Sequence, residues 1–254
     1  MKTILNKCAY CPSTGPFTKE HIWPKSLIQR YEKLSTFSPK NNKFYTGEAV
    51  IKDVCAICNN ESLSPLDTYL ANLFDAGLGK ILNAGEPAQL EYDYDLLLRA
   101  LLKISYNSAR AFADPKTKAL HSSLARFVTA GLYCPKIMLR LQIVTNSRAI
   151  NPIDKSEHIM SPELMRCGTI QYEGPLSERF CIRMVAINSF WFYLIIPYKN
   201  EPPHKWDKFI EGFRKLNLSG VIVPKGNSLL NIPKEKTTYM HMTLLGSLVN
   251  ADNT

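Results

Sequence analysis

The sequence predicts an α+β fold in three parts: a cysteine-rich front module over residues 1–75, a helical segment over 76–132 and an α+β region over 133–254. Three observations predict it. Two Cys-x2-Cys pairs, Cys8/Cys11 and Cys55/Cys58, bracket the front module. Apolar residues then recur at helical spacing between Asp93 and Ala130. After Tyr133 the pattern changes to short alternating or apolar runs bounded by glycine, proline and asparagine.

With 254 residues, 45% hydrophobic and 21% charged, the chain has the composition of a protein with a buried core. A formal net charge of +9 favours a polyanionic partner, nucleic acid first. No stretch approaches the ~18 consecutive apolar residues of a membrane helix. Lys7 interrupts the N-terminus before an export-type apolar run forms. The expectation is a cytoplasmic protein with no membrane partner. In a reducing compartment paired cysteines hold metal more often than they form disulfides, and the odd total of seven cysteines argues the same way. Cys134, Cys167 and Cys181 are scattered and read as small buried hydrophobes.

In chain order, the first knuckle and a turn over Ser13–Pro16 lead into a strand, Phe17 to Ile22, halted by Pro24. A helix is expected from Lys25 to Leu34, then a polar loop from Ser35 to Lys43. Phe44–Thr46 and Ala49–Ile51 flank Gly47 as a returning strand or hairpin. Ser64-Pro65-Leu66-Asp67 is a helix start, with Ser64 as N-cap, Pro65 at the first position and Asp67 completing the cap. Helices follow over Asp93–Phe112 and Lys116–Ala130, the second closed by Gly131. Beyond them lie strands near 137–144, 169–172, 180–187, 190–196 and 221–223, a hairpin at Asn188-Ser189 and a helix over 204–216. His121, His158, His204 and His241 sit in no ligand pattern.

The chemistry concentrates in front. Two distant Cys-x2-Cys pairs match a four-thiolate tetrahedral zinc site, each knuckle converging two sulfurs on one ion. Such an ion supplies much of the folding free energy of a module this small. Between the pairs stands Glu20-His21. An imidazole takes a proton from water near neutral pH, and a hard divalent cation on oxygen ligands binds phosphate. Glu20 and the amide oxygen of Asn59 are the candidate ligands for that cation, with Asn60 in reserve. Asn59 directly follows Cys58, so the zinc fold is what returns it to His21.

The ordered set Cys8-x2-Cys11, Thr18-Lys19-Glu20-His21-Ile22-Trp23-Pro24-Lys25-Ser26-Leu27 and Cys55-x2-Cys58-Asn59-Asn60 resembles the HNH endonucleases, in the zinc-knuckle branch with an E-H-x-x-P motif. It spans roughly residues 5–75. The resemblance implies a ββα-metal finger, His21 as general base, and Glu20 and Asn59 as ligands of Mg2+ or Mn2+, beside a structural Zn2+. The acid is commonly aspartate in that family; here it is Glu20. The implied function is a divalent-metal-dependent endonuclease hydrolysing phosphodiester bonds, DNA first, with a defence or restriction role by analogy. Lys19, Lys25 and Lys52 are candidate phosphate contacts. A regulatory partner or a second copy would engage residues 76–254. The alternative is a non-catalytic zinc module that binds nucleic acid or protein.

Overall fold

A computed structural model describes residues 7–32, 35–38, 43–46, 48–133, 136–151, 153–215, 220–226, 228–232 and 239. Leu34, Asn41, Asn42, Gly47, Cys134, Leu216 and His241 lie outside the described residues. The fold is mixed α+β, and the chain divides into two compact units: Met1–Phe74 with Asp93–Pro135, and Asp75–Tyr92 with Lys136–Thr254.

In the first unit β1 (Phe17–His21) pairs antiparallel with β4 (Val50–Cys55), so that Phe17 faces Cys55 and His21 faces Val50. Between them come α1 (Lys25–Ile28), β2 (Ser35–Ser38) and β3 (Lys43–Thr46). The helix expected to reach Leu34 is one turn, burying Leu27 and Ile28 and starting without a side-chain cap. The expected loop at 35–43 contains β2, which pairs with β3, Phe37 opposite Phe44. Phe44–Thr46 therefore returns onto the Ser-Thr-Phe-Ser run, while Val50 and Ile51 pair with β1.

Beyond Cys55 the chain turns directly into helix. A widened π-helical turn, Cys58–Leu63, runs into α2 (Ser64–Leu73), and a second such turn follows at Phe74–Leu78. Ser64 is therefore no N-cap: Leu63 before it is already right-handed helical (φ −96°, ψ −30°), and no side chain caps this start. Pro65 explains the widening. A proline inside a helix donates no bond, and its ring crowds the carbonyl four residues back, so the preceding turn opens. Asp67, freed from capping, serves elsewhere.

α3 (Tyr94–Phe112) is the spine of this unit, with Leu97, Leu98, Leu101, Leu102 and Ile104 buried. Asp93 caps it, accepting the Leu96 N–H at 2.9 Å. The single helix expected over 116–130 is two, α4 (Pro115–Ser123) and α5 (Ala125–Ala130), separated at Leu124. Asp114 caps α4 through Thr117, and Gly131 ends α5 at φ +68°, a left-handed position that glycine adopts freely. Arg99 donates to the last carbonyls of α5, Val128 and Thr129, at 2.9 and 3.0 Å.

The second unit pairs β5 (Ala88–Glu91) with the last strand described, and places a five-stranded antiparallel sheet on β6 (Met138–Ile143). A two-stranded ribbon joins β7 (Ser147–Ile150) to β8 (Glu157–Met160). Then come β9 (Met165–Ile170), β10 (Phe180–Ile187), β11 (Phe190–Pro197), α6 (Pro203–Lys215), β12 (Val221–Ile222) and β13 (Leu229–Ile232). The sheet order is β12-β6-β11-β10-β9, and β13 pairs with β5. The expected hairpin stands at Asn188-Ser189, Asn188 taking φ +49°. One sheet face packs on α6, where Phe180 meets Trp206 and Phe209 at ring separations of 4.8 and 4.4 Å. The segment read as a buried strand at 221–223 is a two-residue edge strand with Ile222 exposed. Among the described residues no helix is long and apolar enough to cross a membrane.

Candidate metal centre and active site

Pairing of β1 with β4 carries Cys55 to the first knuckle, and the sulfurs of Cys8, Cys11, Cys55 and Cys58 all lie within 4.8 Å of one another. Cys11 Sγ is 3.6 Å from Cys55 Sγ. A zinc ion bound to four thiolates at ~2.3 Å needs sulfurs about 3.8 Å apart, so the cluster fits that ion. Backbone groups hold the knuckles in place: Cys8 donates to Ser13 O at 2.7 Å and Ala9 to Asp53 O at 2.9 Å. The N–H groups of Tyr10 and Cys55 point to Cys8 Sγ at 3.5 and 3.4 Å. Burial opposes ionisation of Cys55, but the Cys58 N–H and the neighbouring thiols outweigh it and bring Cys55 down to about 7. Burial, then the neighbouring thiols, pushes Cys58 up. Among the described residues this is the one group of three or more His, Cys, Asp or Glu ligands that converges.

His21 ends β1, and its ring is partly exposed, with Nδ1 2.8 Å from Glu48 Oε2. That is ion-pair distance, although the ring N–H lies outside hydrogen-bond alignment. Consecutive strand residues face opposite sides, so Glu20 turns inward. It is 4% exposed, and its Oε1 accepts from Lys103 Nζ at 2.8 Å and Asn107 Nδ2 at 3.0 Å. Lys103, also buried, reaches Asp67 Oδ1 at 2.5 Å. Burial raises the Asp67 carboxyl, and Lys103 opposes the rise, followed by Glu20 reinforcing it and His21 opposing it. Glu20, His21, Asp67 and Lys103 therefore share one electrostatic neighbourhood.

Asn59, in the widened turn after the second knuckle, clamps helix to strand: its Nδ2 donates to Thr18 Oγ1 at 3.0 Å and to Lys19 O at 3.1 Å. No hydrogen bond to its Oδ1 is found among the described residues. Asn60 is exposed on the same turn, and Lys19, Lys25 and Lys52 are exposed. The two expected divalent-ion ligands thus have different surroundings. Asn59 keeps an available oxygen, whereas Glu20 Oε1 is committed to a buried ammonium and an amide. A hard cation needs oxygens that converge on it, and of the two candidate ligands Glu20 already has one oxygen engaged.

Sequence reasoning missed Glu48, Lys103 and Asn107. For Glu48 the sequence carries no signal. For the other two there is one: Lys103, Asn107 and Arg110 fall at i, i+4 and i+7 of a helix rich in leucine and alanine, one polar stripe on one face. The Arg110 guanidinium lies 2.9 Å from Asp53 Oδ2 and over the rings of Tyr10 and Tyr106. His121 is buried between Ser105 Oγ at 2.8 Å and Thr117 O at 2.9 Å, a structural histidine. No family model matches the chain, and neither a curated protein nor a solved structure does.

Proposed function

We propose that the chain is a nucleic-acid phosphodiester hydrolase, an endonuclease of the HNH kind with DNA as first substrate. His21 is its general base. The observation that carries the reading is His21 at the end of a strand whose antiparallel partner runs through the second cysteine pair straight into a helix. The four-cysteine cluster, the net charge of +9 and the exposed Lys19, Lys25 and Lys52 support it further.

In this reading Glu48 engages Nδ1 and leaves Nε2 to receive a proton from water. The water oxygen bonds to phosphorus, the bond to the 3′ oxygen breaks, and that oxygen takes a proton from solvent. Zn2+ at the cysteines is scaffold. Glu20 Oε1 is held by Lys103 and Asn107, and no step is assigned to a second metal. Whether Mg2+ or Mn2+ is required is read directly from the assay. Purified protein is tested on single- and double-stranded DNA and RNA with Mg2+, with Mn2+ and with chelator, beside His21→Ala. Cleavage that vanishes in His21→Ala is expected; equal cleavage by the variant refutes His21 as base.

The burial of Glu20 against Lys103 favours a second reading, a non-catalytic zinc module that binds nucleic acid or protein. It predicts binding with no cleavage under any of these conditions.

A further inference from the structure

Asn107 lies on α3, outside the stretch that carries the cysteines and His21, and is fully buried. Its amide uses its whole hydrogen-bonding capacity. Nδ2 donates to Glu20 Oε1 at 3.0 Å and to the backbone carbonyl of His21 at 2.9 Å. Oδ1 accepts from Tyr10 OH at 2.8 Å and Arg110 NH2 at 3.0 Å. Two donors and two lone pairs are all an asparagine has. Partner chemistry also fixes which way the amide faces, since a guanidinium cannot accept a hydrogen bond and a carbonyl cannot donate one.

We propose that Asn107 is the positioning residue for His21, so that α3 is an integral part of the candidate active site. The inference rests on His21 as the base. One amide joins Tyr10, which lies between the first two cysteines, to the residue that ends β1. Past His21 the strand pairing gives way to a single bond, Ile22 N to Ala49 O at 3.0 Å. The Asn107 bond to the His21 carbonyl therefore holds the backbone where the ladder stops holding it. Proton transfer depends steeply on placement, and an error of about 1 Å reduces rates on the order of 10²-fold. No other side chain of this size offers two donors and two acceptors. Aspartate keeps the shape, removes both donors and sets a negative charge against Glu20.

The test measures kcat and KM separately for Asn107→Asp and Tyr10→Phe, with bound zinc and melting temperature on the same samples. Asn107→Asp is expected to lower kcat by about 10²-fold with KM little changed and zinc retained. Tyr10→Phe removes one hydroxyl that orients the amide, and is expected to lower kcat several-fold in the same pattern. Wild-type kcat in a zinc-loaded Asn107→Asp overturns the proposal. If Asn107→Asp fails to fold, wild-type kcat in Tyr10→Phe overturns it instead. The imidazole 15N resonances of His21 give a readout without activity. Displacement in Tyr10→Phe is expected, and superimposable spectra count against the proposal even if the protein cleaves nothing. Undiminished cleavage by His21→Ala is a different result, which removes the base assignment itself.

Discussion

Lys103→Met is the most demanding perturbation of the front unit. Lys103 is 2% exposed, with one ammonium between two carboxylates, Glu20 Oε1 at 2.8 Å and Asp67 Oδ1 at 2.5 Å. Methionine matches the stem in length and volume, so packing is largely kept and the charge alone is lost. Removing one partner of a buried ion pair typically costs about 3–5 kcal/mol, because the remaining charge is left without compensation. Glu20 is the more deeply buried of the two acids and carries most of that cost; Asp67 is partly exposed and relaxes into solvent. The assay is urea unfolding near neutral pH with stoichiometric zinc, read as the midpoint at constant slope. At about 2–4 °C per kcal/mol for a chain of this size, the melting temperature falls by roughly 6–20 °C. The double variant Lys103→Met/Glu20→Gln removes both charges and is expected to recover a large part of the loss. A single variant within about 1 kcal/mol of wild type, which is the range of an exposed pair, refutes the buried-pair reasoning. Asp67 sets the pH trend. Its folded carboxyl is raised, so the folded state binds the proton more tightly, and its contribution to stability falls as pH rises through the window between the unfolded and folded values. Removing Lys103 raises that carboxyl further. The variant's deficit is therefore expected to shrink as pH falls through the carboxylate range.

Two further outcomes are expected. Cys55→Ser removes one of four converging sulfurs and is expected to abolish stoichiometric zinc binding and the cooperative unfolding of the front unit; one equivalent of tightly held zinc with a native melting profile contradicts the four-cysteine assignment. Glu48→Gln keeps an acceptor for His21 Nδ1 and is expected to cleave close to wild type, whereas Glu48→Ala is expected to lower kcat on the order of 10-fold without raising KM; equal rates for the two variants remove Glu48 from the mechanism.

The parts of the site legible in sequence are those whose partners are local. A Cys-x2-Cys knuckle announces itself because both ligands lie within one turn, and the helix from Asp93 to Phe112 because its apolar spacing is unbroken. What stayed hidden depends on distant segments. Ser64 looks like a cap until Ala56 proves to be helical already, eight positions earlier. Residues 116–130 read as one helix because nothing at Leu124 marks the break. Glu20 beside His21 invites the reading of a metal ligand, and only Lys103, far along the chain, shows why its carboxylate is engaged elsewhere. The same holds for the segment 75–92, whose strand β5 finds its partner in β13.

The widened turn and α3 together imply an order of assembly during synthesis. All four thiols have been made once Cys58 is added, so the metal has its ligands early. Tyr10, Glu20 and the His21 carbonyl wait for Asn107, and Glu20 waits for Lys103 as well. At about 5–20 residues per second that interval is roughly 2–10 s, during which the nascent chain carries all four thiols while the polar groups awaiting Asn107 and Lys103 are paired with water. The ligands of the candidate metal centre and the partners of the buried network thus lie in separate stretches of the chain, and the side chain that bonds the His21 carbonyl belongs to the later one.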